Sequence, residues 1–315
     1  MTLTRTVVDM LKVRLIRFPL ASLALLALAV GGPAVACGGS GNETAAGGGV
    51  RVVTSLEIFA DFIRHVGGDR VEVTALVPGD ADPHTYEPAP AKVKDVTKAD
   101  LVVINGLGLE ETLHDLIYNN VGNGVPIVTM ADGLPVLAGD PNEGETGNPH
   151  LWLNVQYAMR YVERIRDALI AVDPEGADAY RSNATAYLDE LDALDKETAT
   201  AIESIPPERR KLVTFHNAYP YFAERYGLEV VGVVVESPGR EPSARELARL
   251  TDRIRSEKVT VVFKEPEFDA KMLETAAEDA GVKVRTLLSG AYVDGVHSYV
   301  ELIRFNVMQL TEGLG

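Results

Sequence analysis

The chain has 315 residues, of which 46% are hydrophobic, and it carries a formal net charge of −16 at pH 7. This acidic balance argues against nucleic acid and anionic lipid surfaces as partners, and it is compatible with a cation as ligand. Cys37 is the only cysteine, so an internal disulfide is excluded and the fold must be stabilised by its apolar core.

Residues 1–36 are predicted to be a signal peptide, because a basic start precedes an apolar run over residues 20–30 and small residues end at Ala36. An apolar run of about 11 residues is too short to span a bilayer. The position of Cys37 resembles the lipobox of bacterial lipoproteins, whose thiol is acylated, although this chain has Ala34 where that motif prefers leucine. Cleavage without lipidation is the alternative, and both place the mature protein outside the cytoplasm.

Residues 37–49 are rich in glycine and are predicted to be a flexible tether, with ordered structure beginning near Val50. From there, short β-branched runs alternate with amphipathic stretches. The predicted strands are Val50–Thr54, Val71–Val77, Leu101–Ile104 and Pro126–Thr129, and the predicted helices between them are Ser55–His65, Ala91–Ala99 and Glu110–Asn119. Strands that are apolar almost throughout and separated by helices indicate a parallel sheet covered on both faces.

The middle of the chain has no strand pattern. Residues 155–171 and 174–204 each have apolar residues at helical spacing, and Pro206 and Pro207 end the second stretch. A helix of about 30 residues is roughly 45 Å long, so it is long enough to bridge two lobes. An ordinary helical hairpin inside one lobe is the alternative.

A second α/β series follows the long helix. Its predicted strands are Lys211–Phe215, Glu229–Val235, Val259–Phe263 and Lys283–Leu287, and its predicted helices are Ala218–Tyr226, Ser243–Ser256, Asp269–Ala280 and Ser298–Gly313. The predicted fold class is therefore α/β, with an N-terminal lobe over residues 50–173, a linking helix over 174–207 and a C-terminal lobe over 208–315. Each lobe is expected to contain a mainly parallel sheet flanked by helices.

Three of the six histidines lie in segments suited to presenting an imidazole: His84, His150 and His216. A proline precedes each of the first two, and a predicted strand leads into the third. They are too far apart in sequence for a local metal motif, so only the folded chain can bring them together, in the cleft between the lobes. The other three histidines, His65, His114 and His297, lie in or at predicted helices and are expected to be ordinary polar residues.

The segments around these histidines resemble the metal-binding family of ABC-transporter substrate-binding lipoproteins, which capture zinc or manganese outside the membrane. The segments that carry the resemblance are Asp82–Pro88, Ala99–Gly106, Asn148–Asn154, Phe215–Tyr219 and Phe263–Phe268, and together they extend over nearly the whole mature chain. The family usually has aspartate in place of both Asn148 and Asn154. The resemblance implies two α/β lobes bridged by a long helix, which agrees with the periodicity.

The resemblance implies that His84, His150 and His216 are metal ligands. The family usually supplies an aspartate as fourth ligand after the last strand, but here Gly290 aligns with that position. Asp294 lies four residues later and is our predicted fourth ligand, with Glu265 or a water as alternatives.

Three imidazoles and at most one carboxylate suit Zn²⁺, whereas Mn²⁺ prefers more oxygen ligands, so we expect Zn²⁺ as the transported ion and keep Mn²⁺ as the alternative. The expected partners are an ABC permease in the membrane and a metallochaperone donor, and the protein is expected to be a lipid-anchored monomer on the periplasmic side or cell surface rather than an enzyme. A zinc hydrolase with an open fourth coordination position, and an adhesin or passive metal store, are alternatives that the residues leave open.

Overall fold

The computed structural model describes residues 49–139, 147–239 and 241–315. The predicted signal peptide, and Cys37 with its predicted lipidation, lie outside these residues. Within the described ranges, every helix is too short or too polar to cross a membrane.

The first sheet contains four parallel strands in the order β2-β1-β3-β4. The strands are β1 (Val50–Thr54), β2 (Val71–Ala75), β3 (Leu101–Ile104) and β4 (Ile127–Thr129), and the helices between them are α1 (Glu57–Gly67), α2 (Val93–Thr97) and α3 (His114–Tyr118). All four residues of β3 are buried, as expected for a central strand covered on both faces. The carboxyl ends of these strands face the loops that carry His84 and His150.

Two helices without intervening strands follow, α4 (Val155–Val172) and α5 (Ala177–Glu203). The Asn154 side chain caps α4 by accepting a hydrogen bond from the Gln156 backbone N–H at 3.0 Å. A 3-10 turn over Pro174–Gly176 leads into α5, whose 27 residues correspond to about 40 Å. This helix packs against α1 and α4.

The second sheet repeats the arrangement of the first, with four parallel strands in the order β6-β5-β7-β8. Its strands are β5 (Lys211–His216), β6 (Glu229–Val235), β7 (Val261–Lys264) and β8 (Lys283–Thr286), and its helices are α6 (Pro220–Tyr226), α7 (Ala244–Ser256), α8 (Lys271–Ala280) and α9 (Tyr299–Leu314). A capping box between Ser243 and Glu246 begins α7. Gly227, at φ 72°, ends α6 in the left-handed conformation that glycine adopts without strain.

The predicted fold class is confirmed: two four-stranded parallel sheets flanked by helices are linked by one long helix. The differences are at element ends, where β2 ends at Ala75 rather than Val77 and 3-10 turns replace the first turns predicted for α2 and α3. The last helix packs against α1 as well as α5. The backbone N–H of Tyr299 donates to Asp61 at 2.9 Å, and its hydroxyl donates to the Trp152 carbonyl at 2.7 Å. The end of the chain is therefore tied to residues of the first lobe.

Candidate metal centre

Two loops and the end of one strand bring the three predicted histidines together. His84 lies in the loop after β2, His150 lies directly before a 3-10 turn at Leu151–Leu153, and His216 is the last residue of β5. The Nε2 atoms of His84 and His150 are 3.2 Å apart, and those of His150 and His216 are 3.1 Å apart. One ring nitrogen from each histidine lies within 4.8 Å of the other two. The structure therefore places two histidines from the first lobe opposite one from the second.

The position of His84 depends on Asp82. One carboxylate oxygen of Asp82 accepts from the backbone N–H of His84 at 2.9 Å, and the other accepts from the Thr85 hydroxyl at 2.6 Å. This Asx turn gives the aspartate of the Asp-Pro-His-Thr sequence a structural role, because its side chain folds the loop back directly after Pro83. The turn holds the backbone that carries the imidazole.

The position of His150 depends on Asn148. The Asn148 side-chain oxygen accepts from the backbone N–H and from Nδ1 of His150, each at 3.1 Å, so Nδ1 carries the hydrogen and Nε2 presents its lone pair to the other rings. The Asn148 amide donates to the Asn217 carbonyl of the second lobe at 2.6 Å. Asn105, directly after β3, donates to the Pro149 carbonyl at 2.9 Å. The side-chain amides of Asn148 and Asn105 thus hold the segment that carries His150.

The position of His216 depends on Glu265, which follows β7. One carboxylate oxygen accepts from the His216 backbone N–H at 3.2 Å and from Nδ1 at 2.9 Å, and both side chains are buried. A carboxylate can only accept, so Nδ1 is a donor and Nε2 faces the other two histidines. A carboxylate behind a ligating histidine fixes its orientation and increases its basicity. Glu265 therefore lies behind His216 rather than at the centre of the cluster.

The three rings line a cavity of about 10 Å³, which is close to the smallest space that holds a single water. Its other lining residues are Pro83, Trp152, Glu267, Phe268, Ser289 and Gly290. Trp152 lies 5.2 Å from the His150 ring and Phe268 lies 5.0 Å from the His216 ring, centroid to centroid. The cavity is therefore small and enclosed by aromatic rings on two sides, which suits an ion stripped of its water.

Burial and charge separate the proton affinities of the three imidazoles. Burial, helped by His216, lowers the pKa of His84 to about 3, and burial lowers the pKa of His150 well below its usual value. Burial also acts to lower the pKa of His216, but Glu265 and the more distant acidic groups outweigh it and raise that pKa above the usual 6.5. Proton affinity is therefore lowered at His84 and His150 and raised at His216, where a proton competes most strongly with a metal ion.

Asp294, the predicted fourth ligand, is not brought to the histidines. It is exposed in the turn between β8 and α9 and lies outside the lining of the cavity. The carboxylate that does line the cavity is Glu267, which the sequence analysis missed as a candidate. The sequence signal for Glu267 was its position just after β7, the strand that pairs with β5, close to Glu265, which was an alternative fourth ligand. His65, His114 and His297 lie outside the cluster.

The chain is similar to metal-binding proteins of known sequence family and structure. A model of the family described as zinc-uptake complex component A, periplasmic, matches residues 52–313. The manganese-binding lipoprotein MntA of Halalkalibacterium halodurans is 35% identical over 286 residues, covering 89% of this chain and 94% of that protein. A manganese-bound periplasmic metal-binding protein from Candidatus Liberibacter asiaticus aligns with a TM-score of 0.76 at 29% identity, covering 84% of this chain and 99% of the other. A crystal structure of ZnuA aligns with a TM-score of 0.76 at 29% identity, covering 85% and 100%.

Proposed function

Because this chain belongs to the zinc-uptake complex component A family of metal-binding ABC-transporter solute-binding proteins, which are not enzymes, we propose that it captures Zn²⁺ outside the cytoplasm and delivers it to a membrane permease. The observation that carries this proposal is the convergence of three imidazole Nε2 atoms on one small buried cavity. The ion is the cargo, so the site must both bind it and release it.

The spacing of the nitrogens supports zinc as the ion. Metal–nitrogen bonds of about 2.0–2.1 Å in a tetrahedron place neighbouring nitrogens roughly 3.3–3.4 Å apart. The His84–His150 and His150–His216 separations of 3.2 and 3.1 Å are close to that value. Three imidazoles also favour Zn²⁺ over Mn²⁺, which prefers oxygen ligands. Manganese is the competing cargo, because MntA is named for manganese and one structural neighbour is manganese-bound.

The division of ligands between lobes supports a role in delivery. His84 and His150 come from loops of the first lobe and His216 from the end of β5 in the second. Separation of the lobes on a permease would break the ligand set without unfolding either sheet. Lipidation at Cys37 would keep the protein beside that permease, and the lipoprotein name of MntA supports this part of the proposal.

Calorimetric titration with Zn²⁺ and Mn²⁺ tests the proposal. We expect wild-type protein to bind Zn²⁺ more tightly, and His150→Ala and His216→Ala to weaken zinc binding by more than about 100-fold, beyond the range typical of outer-shell residues. His114→Ala is the matched control, because that histidine is exposed and lies outside the cluster. Tighter binding of Mn²⁺ would overturn zinc as the cargo, and unchanged zinc binding in both cluster variants would overturn the site itself.

A further inference from the structure

We propose that Glu267 is the fourth ligand of the transported ion, an inference that rests on the proposed function and completes its metal site. Glu267 lines the same cavity as His84, His150 and His216. One of its carboxylate oxygens, Oε1, accepts from the Ser289 hydroxyl at 2.7 Å. The other, Oε2, is buried and has no hydrogen-bond partner among the described residues. A buried carboxylate oxygen without a partner is costly, and a cation in the adjacent cavity would satisfy it.

The wall of the cavity next to Glu267 leaves room for this role. Gly290 lines the cavity there, and a Cβ added to it would meet no atom within 4 Å. No side chain from that position therefore competes with Glu267 for the ion. The oxygens of Glu267 do not belong to the set of ligand atoms that lie within 4.8 Å of one another, so binding of the ion requires this side chain to move towards the histidines.

The charge of the site also requires a second carboxylate. A divalent ion held by three neutral imidazoles brings two positive charges into a buried site, where unpaired charge is strongly unfavourable. Glu265 supplies one negative charge through His216, and Glu267 supplies the other. Burial, reinforced by Glu265, raises the pKa of Glu267 to about 7. The two charges of the ion are then balanced by Glu267 beside it and by Glu265 behind His216.

The resulting shell of three nitrogens and one carboxylate oxygen has a consequence for selectivity. Four ligands of this kind match the tetrahedral preference of Zn²⁺ and leave no open position for a reactive water. Ser289 donates to one oxygen only, so Glu267 is expected to bind through the other. The carboxylate that completes the shell thus follows β7, whereas Asp294 follows β8.

The test compares isosteric variants of the two carboxylates in the same chain. We expect Glu267→Gln to weaken Zn²⁺ binding by more than the 10–100-fold that outer-shell partners cost, and Asp294→Asn to leave it unchanged. Crystals of the zinc-loaded wild-type protein should show a Glu267 oxygen about 2.0–2.2 Å from the ion. This structural measurement does not depend on the folding of any variant.

Each contrary outcome is distinct. A water or Asp294 in the fourth position of the zinc-loaded structure overturns the assignment. A loss of affinity in Asp294→Asn as large as that in Glu267→Gln also overturns it, as does unchanged affinity in Glu267→Gln. If the wild-type protein binds neither Zn²⁺ nor Mn²⁺, the proposed function itself fails. Zinc binding that needs His216 but not Glu267 leaves the proposed function standing and removes only this inference.

Discussion

At the scale of single residues, the hydrogen-bond partners of the histidines determine which ring nitrogen carries the hydrogen and influence the pKa of the ring. Asn148 and Glu265 each hold the Nδ1 of a histidine as a donor, so the Nε2 atoms of His150 and His216 face each other. The two partners differ in charge: an amide behind His150 leaves its pKa lowered, whereas a carboxylate behind His216 raises that pKa. Two imidazoles of one site therefore have pKa values shifted in opposite directions.

This difference predicts how zinc binding depends on pH. His84 and His150 have lowered pKa values, so the protons that compete with the ion are those of His216, whose pKa is raised, and of Glu267, whose pKa is raised to about 7. Both groups become protonated as the pH falls, so affinity should fall by about tenfold per pH unit below one of these pKa values and by up to about 100-fold per unit below both. Calorimetry between pH 7.5 and 5.5 measures this slope, and a flat profile would contradict a three-histidine site. In Glu265→Gln the decline should begin at lower pH, because the carboxylate no longer raises the pKa.

At the scale of elements, the linking helix α5 is attached to its surroundings by a buried carboxylate. Asp195 is 4% exposed and accepts hydrogen bonds from the Arg225 guanidinium and from the Tyr226 hydroxyl at 2.8 Å. Both partners belong to α6, which lies immediately after the strand that ends in His216. The helix is thus joined to the element that follows the second-lobe ligand, in addition to its apolar packing on α1 and α4.

Two substitutions on this helix should therefore have different effects. Asp195→Asn leaves Arg225 without its charged partner and should lower the free energy of unfolding by about 1.5–3 kcal/mol, the range for hydrogen bonds to charged groups. Asp192→Asn, one turn earlier, removes only an exposed, solvent-screened pair with Lys196 and should leave the free energy of unfolding almost unchanged. Urea denaturation of the two variants measures both values. Equal losses of unfolding free energy in the two variants would show that the buried Asp195 pair contributes no more to stability than an exposed ion pair.

At the scale of the whole molecule, the main apolar core extends from the first sheet to the second, while a separate cluster packs the second sheet against α7 and α8. Buried residues of the first sheet, of α5 and of the second sheet belong to the same apolar cluster. Polar contacts across the cleft reinforce it, because the Trp152 indole donates to the Ser289 carbonyl at 2.7 Å and the Asn148 amide reaches Asn217. An ion held by ligands from both lobes adds a further connection at this place.

Zinc should therefore stabilise the folded protein measurably. At a free zinc concentration about 1,000 times the Kd, binding contributes about 4 kcal/mol. For a folded chain of this size, that corresponds to a rise in Tm of roughly 7 °C, which a chelator should reverse. Thermal denaturation followed by circular dichroism measures the shift. His216→Ala should show almost none of it, and a full shift in that variant would place the stabilising ion elsewhere.

The alternation of apolar runs and amphipathic stretches was sufficient to predict the fold class, because these periodicities are local and each strand of a parallel sheet is buried along its whole length. It also indicated which histidines converge in the fold, since loops that follow parallel strands meet at one edge of a sheet. Element ends were less certain, and 3-10 turns such as Pro174–Gly176 depend on packing that no local pattern records.

The sequence by itself thus determined the two α/β lobes, the long helix and the histidines that converge between them. Only the tertiary structure decided which groups stand around those histidines. Asp294 and Glu267 are both acidic residues after a strand of the second sheet, but one is exposed and the other lines the cavity. The conformations of the loops after β7 and β8 decide between them, and those conformations follow from long-range contacts such as that of the Trp152 indole with Ser289.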